Sequence, residues 1–200
     1  MHATIVRRLL LCALVLFGVP ADASESTVFA FQGLPWGASE VQIDAKFNGP
    51  LRRTVCDEKR TKIVAERLGE VCSSPYVEPY DVAGISFTLG LHLALQSRVL
   101  NSVTLFHASA AAQPNKGEAR DAMWRDRHRA LRRALADRYG QPDAGDVVGN
   151  AGVVIANNIW RRSGTNIELK STFMQPAGAP AEEQYQILYR QAAQGSGGKL

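Results

Sequence analysis

Residues 85–96 constrain the fold more than any other stretch. Ile85, Phe87, Leu89, Leu91, Leu93 and Leu95 alternate with Ser86, Thr88, Gly90, His92, Ala94 and Gln96. Side chains leave an extended chain on opposite sides in turn, so a period of two over this length specifies a β-strand with one buried and one open face. The strand reads from 82 to 95. Gln96-Ser97-Arg98 then reverses the chain, and 99–106 returns with Val103 and Leu105 on one side, as an antiparallel hairpin. A hairpin with such a face needs more strands beside it and a layer to cover it.

Two helices supply that cover. Ser39 is an N-cap with Gln42 three residues on, a capping box; Ile43 and Phe47 share a face, and Asn48-Gly49-Pro50 stops the helix. The second helix reads from 118 to 139, with Asn115 and Glu118 as a variant of the same box and Gly140 and Pro142 at its end. Met123, Trp124, Ala130, Leu131, Ala134 and Leu135 fall on one side of the helical wheel, and Arg125, Arg129, Arg132 and Arg133 on the other.

The other segments are shorter. Residues 28–32 read as a first strand, and 147–161 are apolar and β-branched in parts. Arg162-Ser163-Gly164 is a turn, 166–173 alternate, and Tyr185, Ile187 and Tyr189 mark a last strand. Residues 51–79 read as an irregular, disulfide-clamped excursion, with 63–68 open to strand or helix. The expected fold is α+β: an antiparallel β-sheet with two helices packed on one face, as a single domain over 24–190. The order helix-then-strands occurs twice, giving candidate halves at 24–107 and 108–190. Phe47-Asn48-Gly49-Pro50 and Tyr139-Gly140-Gln141-Pro142 end the two helices alike, although helix-stop chemistry alone also yields that likeness. The polar, glycine-rich segment 191–200 is expected to be disordered.

The amino end reads as an export signal. Arg7 and Arg8 precede an apolar run from Leu9 to Val19, and Pro20-Ala21-Asp22-Ala23 supplies small residues for cleavage. The run is too short to span a bilayer, which needs roughly 20 apolar residues, so the mature chain is expected to carry no transmembrane segment and to work in the periplasm or outside the cell. Cleavage after Ala23 leaves Cys56 and Cys72. An even pair in an oxidising compartment reads as a disulfide, and its spacing fits neither a redox C-x-x-C motif nor a compact zinc site. The net charge of +4 over 200 residues is mild and does not call for nucleic-acid binding.

One local pattern resembles a known group. Gly37-Ala38-Ser39-Glu40-Val41-Gln42-Ile43, continuing to Phe47-Asn48-Gly49-Pro50, resembles the helix signature of small bacterial envelope proteins. These include the accessory lipoprotein of the outer-membrane β-barrel assembly machine and the secreted β-lactamase inhibitor proteins. The resemblance covers residues 37–50 and implies helices laid on an antiparallel sheet, with function by protein–protein contact. Asn48 replaces the usual glycine. Cys12 lies inside the apolar run and is not a lipidation site, so a lipid anchor is not carried over.

Catalytic signatures are missing. There is no G-x-S-x-G elbow, P-loop, dinucleotide fingerprint or H-E-x-x-H, and no pattern that calls for a metal or cofactor. A glycosidase-type carboxylate pair needs no local spacing and stays open. His92 and His107, on facing strands of the hairpin, could share a metal or act as a base; with no acid or cysteine assigned nearby and His92 on the polar face of its strand, they are expected to face solvent. The candidate binding surface is the arginine face, Arg125, Arg129, Arg132 and Arg133, together with Trp36 in its Gly/Pro loop. The competing readings are a solvated helix face paired to Asp121 and Asp126, and a Trp36 that plugs the core. The expected function is a non-enzymatic interaction or accessory module that meets another envelope protein. A periplasmic small-ligand-binding protein and an unrecognised hydrolase are the alternatives.

Overall fold

The computed structural model describes residues 29–47, 51–110, 117–150, 152–175 and 180–192. The leader, the stop at 48–50, the Asn115 cap and residues 193–200 of the tail lie outside them. A small hairpin, β1 (Phe29–Phe31) and β2 (Leu34–Pro35), leads into α1 (Glu40–Lys46). There follow β3 (Leu51–Arg53), α2 (Glu58–Leu68), β4 (Pro75–Val82), β5 (Ile85–Leu93) and β6 (Leu100–Ala110). The chain continues through α3 (Gly117–Tyr139), β7 (Ala144–Asn150), β8 (Val153–Arg162), β9 (Thr165–Met174) and β10 (Glu182–Gln191).

Strands β3 to β10 form one eight-stranded antiparallel sheet in the order β3-β4-β5-β6-β10-β9-β8-β7. This is the α+β class read from the alternation. The single strand expected over 82–95 is divided: Ala83 and Gly84, both at positive φ, make a two-residue turn between β4 and β5. Ser163 and Gly164 do the same between β8 and β9. Register carries one apolar row across the sheet, Leu89 opposite Leu105, Ile187 opposite both Leu105 and Leu169. All four are almost fully buried.

α1 and α3 cover this face. The capping box of α1 is closed in both directions, with Ser39 N donating to Gln42 Oε1 at 2.8 Å and Gln42 N to Ser39 Oγ at 3.4 Å. Ile43 is buried beneath it. α3 lies along β8 and β9. Its buried residues are Trp124, Leu131 and Leu135, whereas Met123 and Ala130, expected inside, are exposed. The packed stripe is rotated, so Arg127 and His128 meet the sheet instead. Polar partners on the strands, described below, pull the helix to this angle.

The excursion expected to be irregular contains a third helix, α2. Asp57 caps it, its Oδ1 accepting from Arg60 N at 2.7 Å, and Gly69 ends it in the left-handed region at φ 64°. A narrow apolar stripe hides it in the sequence, since none of its residues is buried. Among the described residues no helix is long and apolar enough to cross a membrane.

Candidate functional site

Ser86, Thr88, Gly90 and His92 point from β5 toward the face that α1 and α3 leave open. The chain between β3 and β4 folds over that face. Arg60, Val64 and Leu68, four residues apart, share one side of α2, and with Arg53, Thr54 and Val55 they roof a cleft of about 720 Å³. Its floor includes Tyr76, Thr88, Gly90, Thr104 and Phe106. Cys56, just before α2, and Cys72, just after it, are joined by a disulfide. The expected cysteine pair therefore ties both ends of the roof together. Gly90 keeps the floor low: a Cβ there would stand 3.1 Å from His92 Nε2.

One end of the cleft is polar. Val71 N donates to Leu93 O at 2.8 Å and Leu95 N to Gly69 O at 2.7 Å, which stitches the exit of α2 to the end of β5. Glu70, between them, has Oε2 3.3 Å from His92 Nδ1, while Ser102 Oγ donates to its Oε1 at 3.1 Å. Burial raises the pKa of this carboxyl, but the bond and charge of His92, with Ser102 and Asn101, outweigh it and hold the group below its ordinary range. The expectation of no acid near His92 is thus corrected. Nothing local in the sequence pairs residues 70 and 92; the contact depends on how the roof lands on the sheet.

The polar chain runs Ser102–Glu70–His92. In a nucleophilic triad the imidazole lies between hydroxyl and acid. Here the acid is in the middle, and among the described residues no hydroxyl is bonded to either nitrogen of His92. The arrangement fixes the imidazole without arming a serine.

His107 does not face solvent as expected, and His128 is also covered. His107 Nδ1 lies 2.7 Å from Ser86 O, and its ring packs against Phe87 and Tyr185. His128 stacks on Trp124 with Nδ1 2.8 Å from Ser171 Oγ. Burial and the charge of Arg132 lower its basicity. His107 is in phase with Val103 and Leu105, the inward residues of β6, and the rotation of α3 brings His128 to the covered side.

Trp36 is half-buried against the core and donates Nε1 to Thr165 Oγ1 at 3.0 Å. Arg125 pairs with Asp121 at 2.9 Å and lies over the Trp124 ring; Arg129 pairs with Asp126. Arg132 and Arg133 are exposed. Trp36 meets the first residue of β9, whereas Trp124, beside Arg125, packs on Phe173 near its other end. These candidates do not converge on one surface.

Arg127 was not among the arginines singled out. It pairs with Glu183, which is 4 % exposed and accepts from Tyr185 Oη at 2.8 Å. Burial first, then the bond and charge of Glu183, push the Tyr185 phenol well above its ordinary range. One signal was present: Glu183 is in phase with Tyr185, Ile187 and Tyr189, the inward residues of β10. No set of three or more histidine, cysteine or acidic side chains among the described residues is placed to hold a metal. Comparison with known proteins finds no matching family model, no matching curated protein and no matching solved structure.

Proposed function

We propose that this is an exported, non-enzymatic binding protein of the cell envelope that takes up a small ligand between α2 and the open face of the sheet. The cleft of about 720 Å³ beneath a helix with no buried residue carries the reading. Its size falls in the range typical of small-molecule sites, roughly 300–1,000 Å³, and its lining mixes apolar side chains with a few fixed polar groups. The leader-like amino end and the Cys56–Cys72 disulfide support export to an oxidising space. The order of the Ser102–Glu70–His92 chain weighs against a hydrolase.

Contact with another envelope protein is the second reading. The edge strand β7 favours it: every residue is exposed, and Val147 and Val148 stand 64 % and 55 % open. The resemblance at residues 37–50 points the same way.

Native mass spectrometry tests the first reading. The purified, disulfide-bonded protein is incubated with a small-molecule extract of bacterial envelopes beside Val64→Trp, a substitution at a half-buried roof position. The expected result is an added mass on the parent that the variant, at an unchanged melting temperature, does not retain. Equal retention by both, or none by either, overturns it.

A further inference from the structure

We infer that the ligand of the α2 cleft is a single-chain amphiphile, an alkyl or acyl chain lying between helix and sheet with its polar head at the open mouth. The inference rests on the cleft being a ligand site. Four observations select this class.

The first is that exposed apolar side chains gather at the cleft. Val55, Leu68 and Phe106 are 93 %, 63 % and 44 % exposed, and all three line the cleft, with Val64 between them. Such a grouping under a roof is unusual for chance exposure. The roof is also held short of collapse. Val64 and Leu68 sit on the inner side of a helix that has no buried residue, tethered at both ends by one disulfide. An apolar guest supplies the contacts that the sheet does not.

The third observation separates an alkyl chain from a peptide. The floor is the face of paired strands β4, β5 and β6, whose backbone groups are committed to the ladder. An extended peptide there would find no backbone partners for its own amides, and each buried unpaired amide is costly. An alkyl chain carries no such groups. The fourth is length. Along α2 from Arg60 to Leu68 the roof runs about 12 Å, and on β5 from Thr88 to His92 the floor runs about 13 Å. A medium-length chain fills that span, with the Glu70–His92 pair at one end available to its head.

The test is calorimetric titration of the disulfide-bonded protein with octanoate, decanoate and dodecanoate, each below its micellar concentration. Dodecyl maltoside serves as an uncharged head. Expected are one-to-one binding by dodecanoate and dodecyl maltoside alike, and affinity that rises roughly tenfold per two added methylenes. Val64→Trp should weaken dodecanoate at least tenfold, while Val148→Asp, on the far edge strand, should not change it. Affinity that does not depend on chain length, or that survives Val64→Trp, overturns the inference. So does co-sedimentation with lipid vesicles without binding of monomeric amphiphile, which would make these residues a membrane-contact patch. If the amphiphiles fail but Val64→Trp still abolishes retention of an envelope small molecule, the chemical class alone is wrong. If nothing is retained, the ligand-site reading falls too.

Discussion

The carboxylate of Glu70 lies 3.3 Å from Nδ1 of His92, joining the exit of α2 to the floor of the cleft it roofs. Both groups are largely shielded, Glu70 more so. Glu70→Gln keeps the shape and removes the charge. The expected loss is about 1–2 kcal/mol near pH 7, the scale of a hydrogen bond to a charged group. The folded protein holds this carboxyl below its ordinary value. Its contribution is therefore complete above that value and disappears as pH falls through the lowered one. Urea unfolding of parent and variant should differ at pH 7 and converge only as the pH falls below the ordinary carboxylate range. A constant difference at every pH would show that shape, not charge, is at work.

The disulfide governs the roof more than the sheet. Sixteen residues separate Cys56 and Cys72, a loop length for which the entropic account gives about 3 kcal/mol. With both cysteines changed to serine, stability should fall by that order. Amide exchange should accelerate chiefly in α2, which has no buried side chain to hold it, while β5, β6 and β10 stay protected. Exchange that rises evenly through the sheet would contradict this.

Arg127→Met strips the cation from a carboxylate that is 4 % exposed. Breaking a buried pair from one side typically costs about 3 kcal/mol or more. Changing Glu183 to Gln as well should recover part of the loss. A double-mutant cycle in urea measures it; strict additivity would mean that the two groups do not act together.

The combined change of Arg129, Arg132 and Arg133 to Gln should alter stability by less than about 1 kcal/mol, because exposed ion pairs contribute little. Thermal unfolding at two salt concentrations checks this. A larger, salt-sensitive loss would show an arginine network beyond the Asp126 pair.

Short-range patterns carried the sheet and the first helix into view. Ile85 to Leu93 are buried at every second position, and the Ser39–Gln42 box closes as its spacing dictates. The stripe on α3 was legible only in part. A wheel can rank Trp124, Leu131 and Leu135 as apolar, but Arg127 and His128 turn inward because Glu183 and Ser171 await them on strands far along the chain. The cleft was the least legible. Its roof is a helix whose stripe, Val64 and Leu68, is too narrow to register beside Asp57, Glu58, Lys59 and Arg60. Its polar end joins residues 70, 92 and 102, which no local spacing relates.

The place of β10 sets a timetable. The last described strand is not at an edge but in the middle, paired from Glu182 opposite Ala110 to Arg190 opposite Ser102 on one side and with β9 on the other. A chain delivered amino end first must wait with β6 bare until its last described strand arrives. Completion late in synthesis leaves the sheet open until the carboxyl-terminal segment is made, and it makes truncation near the carboxyl end a lesion of the whole sheet.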